Sequence, residues 1–349
     1  MDRLKRRPRS GRVVAVTGAR TFLGRNLVAL LEEDASVAKV IVIDIRNAAT
    51  AGPKTCFYQL DLTQPGVESR LSEILNAEAV HCVCHLAFAG SPSRAVAWAH
   101  ELERIGTMHL LSACRAQEVP QLVACTTTLV YGPHAANPNH LTEDSPLRGL
   151  QGCPFVADKL DVERQLRAFA TSSDTLVTVL RMAPVLGPSV DNYVTRWLSR
   201  RLVPVVLGHD PLIQLIHEVD AVAALKLAVD ASASGIYNVV GQGVMPVSTM
   251  VGMAGRVAIP LPQGVLRRLA AVAWLAQMGE APAEFVQLLR FLCVAEGSRA
   301  QQALGFRPAY SCSDAVLDFE GAQRMRDARL LDHGQARVSS DGGTRRSPV

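Results

Sequence analysis

A glycine turn between an apolar run and an amphipathic helix constrains the fold of this sequence more than any other feature. Residues 12–17 are mostly β-branched and apolar, which predicts a strand, and residues 23–33 have the spacing of a helix. Glycines at the turn lack a Cβ atom, so a pyrophosphate can approach the backbone amides at the helix start. The turn predicts a dinucleotide site made by Gly18, Arg20, Thr21, Phe22, Leu23 and Gly24.

Strand and helix patterns alternate through the first half of the chain. Predicted strands at 40–44, 56–60, 80–86, 121–126 and 175–181 alternate with predicted helices at 66–76, 95–117 and 155–170. This alternation predicts an α/β fold, a doubly wound parallel sheet of the Rossmann type. We expect an NAD-binding domain over 12–182, to which part of 215–240 returns, and a smaller, mostly helical substrate lobe over 183–330.

The net charge of +4 comes from the two ends of the chain. Residues 1–12 contain six arginines or lysines and one aspartate. We expect a disordered basic arm over 1–11 and a disordered tail over 331–349. Since the basic excess is not on the folded part, a nucleic-acid-binding surface is not expected there.

The apolar segments indicate a cytoplasmic protein. No signal peptide is apparent, and no apolar stretch reaches the roughly 18–20 residues of a membrane span. Several of the eight cysteines lie in apolar runs typical of buried strands, as expected for reduced thiols. In the run His81-Cys82-Val83-Cys84-His85, alternate side chains of a strand point to opposite faces. We therefore expect strand core there and no metal site.

An acidic residue at the end of the second strand bears on the choice of cofactor. Asp44 follows Gly18 by 26 residues, where a carboxylate can bind both ribose hydroxyls of NAD and repel the 2′-phosphate of NADP. Ile45 follows it in the predicted site. Arg20 and Arg46 could pair with that phosphate, so NADP is the less favoured alternative.

Three segments together resemble one enzyme family. The turn resembles Thr-Gly-x-x-Gly-x-x-Gly, 125–132 resembles Ser-Ser-x-x-Val-Tyr-Gly, and 152–163 resembles a catalytic helix with Tyr-x-x-x-Lys. They are similar to extended short-chain dehydrogenases/reductases, the NAD-dependent epimerase/dehydratase family, and to its actinobacterial UDP-glucose 4-epimerase-like members. The resemblance covers about residues 12–320.

The resemblance implies roles for individual residues. Thr127 would hold the substrate oxygen and Lys159 the nicotinamide ribose. Asp61 and Leu62 would contact adenine, and Leu86 and Ala87 would line the cofactor. The resemblance also implies a homodimer built from the long helices after the fourth and fifth strands.

Three positions depart from the family pattern. Phe155 stands where the catalytic tyrosine is expected, so the acid–base hydroxyl is missing. Thr21 replaces the middle glycine of the turn. Pro184 replaces an asparagine that helps to bind the nucleotide of nucleotide sugars, which puts that substrate class in doubt.

These observations favour an atypical NAD-dependent oxidoreductase or epimerase, acting on a hydroxyl or ketone of a sugar-like or small polar substrate. The alternative is a catalytically inactive NAD-binding regulatory or scaffold protein. Either Lys159 itself or one of four loop residues could take the place of the missing phenol as the acid–base group. Four further side chains are candidate substrate contacts. The loop residues are Tyr131, His134, Glu143 and Asp144, and the candidate contacts are Arg181, Asn192, Arg196 and His217.

Overall fold

The predicted strands form one parallel sheet in the computed structural model, which describes residues 11–46 and 52–340, with side chains described as far as residue 326. The first half contains β1 (Arg12–Thr17), α1 (Phe22–Glu33), β2 (Val37–Asp44), β3 (Thr55–Gln59), α2 (Val67–Ala77), β4 (Cys82–His85), α3 (Val96–His100), α4 (Gly106–Ala116), β5 (Gln121–Thr127), α5 (Pro154–Thr171) and β6 (Leu176–Met182).

The second half follows with β7 (Val185–Leu186), α6 (Tyr193–Leu198), β8 (Leu202–Val206), β9 (Leu212–Ile213), β10 (Ile216–His217), α7 (Glu218–Asp230), β11 (Gly235–Val239), β12 (Met245–Pro246), α8 (Val247–Met253), β13 (Val257–Leu261), α9 (Gln263–Leu275), α10 (Ser298–Leu304) and α11 (Cys312–Ser340). A π-helical segment, Glu101–Ile105, joins α3 to α4, and 3₁₀ segments occupy Thr128–Tyr131 and Ala283–Leu289.

The sheet has seven strands in the order β11-β6-β5-β4-β1-β2-β3, and each pair of neighbours is parallel. The predicted Rossmann fold is confirmed. Both faces of the sheet are covered: Val14 and Val16 pack into one core cluster, and Ala15 packs into the other. Residues of one strand thus alternate between two cores, which explains why the strands are apolar without interruption.

The strand order reverses between β1 and β4, which leaves a crevice at their carboxyl ends. A buried hydrogen bond joins the carboxyl ends of β1 and β4 at this crevice, since Thr17 Oγ1 lies 2.7 Å from His85 Nδ1. His85 Nε2 also lies 3.0 Å from Thr107 Oγ1, on α4. Burial lowers the pKa of His85 to about 3, so the imidazole is neutral and ties α4 to the sheet.

After β6 the chain builds a smaller lobe of helices and short strand pairs. Its β8 and β13 pair in parallel, and its core cluster contains Leu198, Met250 and Phe319. The chain returns to the main sheet with β11, which pairs with β6 over five residues.

The end of the chain differs from the prediction of a disordered tail beginning at residue 331. The last helix continues to Ser340, so it covers the first ten residues of that expected tail. Most of the predicted basic arm, residues 1–10, and residues 341–349 lie outside the described residues. None of the helices over 11–46 and 52–340 is long and apolar enough to cross a membrane.

A buried ionic network holds β5, β6 and α5 together. The side chain of Arg181 is fully buried and donates to both carboxylate oxygens of Glu163, at 2.6–3.1 Å. The guanidinium also donates to the Tyr131 hydroxyl at 2.8 Å and to the Glu143 carbonyl at 3.0 Å. Thr126 Oγ1 donates to Glu163 at 2.8 Å. Every member is therefore hydrogen-bonded, as buried charges require.

Arg181→Met should destabilise the fold by about 3–5 kcal/mol, because it leaves the Glu163 carboxylate buried without its main partner. Urea denaturation measures the free energy of unfolding. Arg164→Met is the matched control: it removes an exposed arginine that pairs with Asp161 on the same helix, and should cost no more than about 1 kcal/mol. Equal stability losses in the two variants would contradict the assigned role of the network.

Candidate functional site

The glycine turn between β1 and α1 packs directly on the residues that follow β4. Gly18 has φ +70°, and a Cβ atom there would lie 2.5 Å from backbone atoms of Leu86 and Ala87. A Cβ on Gly24 would lie 2.3 Å from the Gly18 carbonyl oxygen. Both positions therefore exclude any side chain, as a cofactor-binding turn of this type requires.

Thr21, which departs from the glycine pattern, caps the helix. Its Oγ1 donates to the Gly18 carbonyl at 2.8 Å and accepts from the Gly24 amide at 3.0 Å. Its φ of −64° is ordinary for a residue with a side chain, so glycine is not needed here. The amides of Phe22 and Leu23 have no hydrogen-bond partner among the described residues. At a helix N-terminus such amides can bind phosphate oxygens.

Asp44 stands at the carboxyl end of β2, beside the glycine turn. Its Oδ2 accepts from the Arg20 amide at 3.1 Å and its Oδ1 accepts from the Ile45 amide at 2.7 Å. Ile45 and Arg46 follow it at the surface. The structure thus brings the predicted ribose-binding carboxylate and the turn together, and a negative charge here disfavours a 2′-phosphate.

The other predicted cofactor residues lie at the ends of neighbouring strands. Asp61 follows β3, and its Oδ1 accepts from the amide and hydroxyl of Thr63 at 2.9 and 2.8 Å. Leu62, Leu86 and Ala87 are buried. They give the crevice an apolar border on the β3 and β4 side.

Phe155 and Lys159 lie one turn apart on α5. The Phe155 ring is partly buried and packs near Phe285, with ring centroids 6.3 Å apart. The Lys159 ammonium lies 5.1 Å from the Phe155 ring centroid and 4.8 Å from that of Phe88, so two aromatic faces contact the cation. Thr127 ends β5, and its Oγ1 accepts from the Leu129 amide at 3.3 Å.

Glu103, which the sequence analysis missed, is the ionic partner of Lys159. Glu103 Oε1 lies 2.5 Å from Lys159 Nζ and also accepts from the Ala89 amide at 3.0 Å. Lys159 donates to the Ala89 carbonyl at 3.3 Å. The two side chains are almost fully buried, with 1% and 4% exposed.

The second oxygen of Glu103 is unusual, because Oε2 is buried and has no partner among the described residues. Burial raises the pKa of Glu103 more than the attraction of Lys159 lowers it. Glu103 lies on the π-helical segment, a geometry frequent at functional sites. A sequence signal existed: Ala99, Glu103 and Leu110 share the buried face of the predicted long helix.

The loop residues considered as substitutes for the missing phenol are engaged elsewhere. Tyr131 and Glu143 belong to the buried network around β6. Asp144 pairs with Arg299, which lowers the pKa of its carboxyl group. His134 is exposed, and its Nδ1 accepts a hydrogen bond within its own turn. The structure therefore points away from all four.

The candidate substrate contacts also have structural partners. Arg181 lies in the buried network described above. Asn192 caps α6, where its Oδ1 accepts from two amides at 2.9 and 3.0 Å. Arg196 pairs with Asp191. His217 stacks on Tyr310, with centroids 3.9 Å apart.

Two cavities flank this part of the fold. One, of about 370 Å³, extends from Thr128 and Leu129 into the smaller lobe. The other, of about 330 Å³, is bordered by Glu103, Phe155 and Asp158. Within 11–46 and 52–326 there is no cluster of three or more histidine, cysteine or carboxylate side chains that could hold a metal ion.

Residues 14–240 match the NAD dependent epimerase/dehydratase family. The chain belongs to this family. An uncharacterised protein of Mycobacterium tuberculosis is 31% identical over 320 residues, which cover 89% of this chain and 84% of that one. The 3-diazoavenalumate denitrifying reductase of a Streptomyces species is 27% identical over 309 residues, covering 85% and 96%.

Solved structures share the fold of this family member. The UDP-glucose 4-epimerase of Thermus thermophilus, in complex with NAD, superimposes with a TM-score of 0.67 over 89% of this chain and 99% of its own, at 22% identity. The resemblance to extended short-chain dehydrogenases/reductases is confirmed, and the predicted cofactor agrees with the NAD dependence of the family.

Gly18→Ala should abolish measurable NAD binding, because the added Cβ would meet the backbone of Leu86 and Ala87 and the backbone would be strained at φ +70°. Gly66→Ala is the matched control, since Gly66 has φ +78° but open space around it. Calorimetric titration with NAD measures both, with circular dichroism to check folding. NAD binding by folded Gly18→Ala at wild-type affinity would show that NAD does not use this turn.

Proposed function

We propose that this protein is an NAD-dependent oxidoreductase that acts on a hydroxyl or ketone group, with a Lys159–Glu103 pair in place of the usual lysine–tyrosine pair. The observation that carries the proposal is the buried contact of 2.5 Å between Lys159 and Glu103, beside the ring of Phe155. A protein that only binds NAD has no need for a carboxylate held there with an unpartnered oxygen.

The residues around the crevice fit NAD, because the turn leaves the backbone space that a pyrophosphate needs. The amides of Phe22 and Leu23 would hold the pyrophosphate and Asp44 the adenosine ribose. Asp61 and Leu62 would border the adenine. When bound, NAD supplies the hydride acceptor or donor at its nicotinamide ring.

At the nicotinamide end of the cofactor, Lys159 would hold the nicotinamide ribose and Thr127 would hold the substrate oxygen. Leu86 and Ala87 would exclude water from one side of the ring, since both are buried. The position of Thr127 at the end of β5 supports its role, and among the described residues its hydroxyl only accepts one weak hydrogen bond, from the Leu129 amide. Its own proton is free to be donated to a substrate oxygen.

Phe155 has no ionisable group, so another residue must carry the proton of the reaction. In alcohol oxidation the substrate loses hydride from carbon and a proton from its hydroxyl. Lys159 would take that proton as it passes one of its own to Glu103, so the pair ends as ammonium and carboxylic acid. The raised pKa of Glu103 suits this step, because a carboxyl with a pKa nearer neutrality transfers protons in both directions.

Glu103→Gln should lower the rate of NAD reduction about 10²–10⁴-fold, the usual contribution of a positioned acid–base group, at NAD concentrations that saturate the variant. Absorbance of NADH over a panel of alcohols and ketones measures the rate. Glu101→Gln, an exposed glutamate on the same π-helical segment, is the control and should keep full activity.

The pH dependence separates proton transfer from a structural role. Because burial holds the pKa of Glu103 above the ordinary carboxyl range, alcohol oxidation should rise as pH increases through that pKa, and ketone reduction should fall. Glu103→Gln should remove this step. Adding Phe155→Tyr to that variant should restore activity, since a phenol would again lie beside Lys159.

The alternative, an inactive NAD-binding regulatory or scaffold protein, predicts a different pattern. NAD would bind, no compound of the panel would be oxidised or reduced, and Phe155→Tyr would create no activity. That combination of results would replace the oxidoreductase proposal.

The homodimer stays a prediction. Val96, Trp98 and Met108 on α3 and α4 are apolar and exposed by 43–48%, on the helices where the family resemblance placed the contact.

A further inference from the structure

The 370 Å³ cavity begins where the reacting group of a substrate would lie. Thr128 and Leu129, which border it, directly follow Thr127 at the end of β5. Pro184, which follows β6, borders it as well. A substrate whose oxygen contacts Thr127 would therefore extend the rest of its body into this cavity.

The walls of the cavity are aromatic and aliphatic. Tyr193, Trp197 and Phe285 line one part, and Leu266, Leu269 and Ala270 of α9 line another. Tyr193 and Phe285 are in edge-to-face contact, with centroids 5.0 Å apart. A volume of this size with such walls is typical of sites for small apolar ligands.

The charges on the cavity wall are already neutralised. Within the described part of the chain, Arg200 and Glu280 are the charged residues that line it, and they pair with each other at 3.4 Å. Arg200 also donates to the Met278 carbonyl at 3.1 Å. A diphosphate placed here would find no free lining cation, and its desolvation would be uncompensated.

The polar groups of the wall are few. Gln214 uses both ends of its amide on the backbone of Ala295, at 2.9 and 2.8 Å. The Tyr193 hydroxyl has no hydrogen-bond partner among the residues with described side chains. Burial raises the pKa of Tyr193, so it stays a neutral phenol. The cavity therefore offers a few neutral polar groups, among them the Tyr193 hydroxyl, in a mainly apolar surface.

We propose that the substrate is a neutral, largely apolar alcohol or ketone with an aromatic or alicyclic body, not a nucleotide sugar. This inference rests on the proposed oxidoreductase function and narrows its substrate class away from the sugar-like or small polar compound expected from the sequence. The substrate would place its oxygen at Thr127, its ring system between Phe285 and α9, and a polar substituent, where present, at Tyr193.

The test uses the full chain with NAD and a neutral fluorescent probe, N-phenyl-1-naphthylamine. We expect saturable binding that UDP-glucose does not displace. Leu269→Asp places a carboxylate on the cavity wall, whereas Val272→Asp places one on a residue of the same helix that does not line the cavity. Leu269 and Val272 are similarly exposed, by 54% and 64%. Leu269→Asp should weaken probe binding about ten-fold or more, and Val272→Asp should not.

Ala270→Trp provides a second variant, which fills the cavity without adding charge and should also weaken the probe about ten-fold or more. Displacement of the probe by UDP-glucose would overturn the inference. So would the absence of probe binding, or equal effects of Leu269→Asp and Val272→Asp, which would place the probe outside the cavity.

NAD titration of each variant keeps the two proposals apart. Retained NAD binding in Leu269→Asp and Ala270→Trp shows that they are folded. Failure of the wild-type chain to bind NAD would contradict the oxidoreductase proposal, whereas a failure confined to the probe would contradict only the substrate class.

Discussion

The buried contact between Lys159 and Glu103 is the interaction on which the candidate site depends. Neither charge could remain at this depth alone, because each would lose its hydration without compensation. The pair ties α5 to the π-helical segment and, through Ala89, to the chain that follows β4. Lys159 thereby keeps a fixed place without a tyrosine beside it. The cost is one carboxylate oxygen left without a partner among the described residues, which is the kind of local conflict that functional sites retain.

Two positions, Phe155 and Pro184, carry an apolar side chain where the family resemblance leads us to expect a polar one. Phe155 borders the 330 Å³ cavity, and Pro184 lines the 370 Å³ cavity. The walls of the 370 Å³ cavity are aromatic and aliphatic, and the charged residues that line it, Arg200 and Glu280, pair with each other. An NAD-binding frame of the family is thus combined with a mainly apolar cavity next to Thr128 and Pro184.

The features that could be predicted from the sequence are those that local sequence patterns determine. Gly18 and Gly24 stand out because a turn against a neighbouring strand excludes any Cβ atom, and β11 was expected to return to the sheet. Thr21 departs from the glycine pattern of the turn, yet it caps the helix, a role that depends on side-chain geometry. Glu103 was missed because its partner lies 56 residues away, and the cavity was missed because its wall is assembled from segments between Thr128 and Cys293. Tertiary pairing of this kind leaves little trace in a single sequence.

A crystal structure of the protein with NAD tests the central claim most directly. The account predicts the pyrophosphate on the amides of Phe22 and Leu23, and the nicotinamide ribose within hydrogen-bonding distance of Lys159 while Lys159 still contacts Glu103. The nicotinamide ring should then face the mouth of the apolar cavity beside Thr127. A complex in which Lys159 leaves Glu103, or in which the nicotinamide lies away from Thr127 and Phe155, would contradict it.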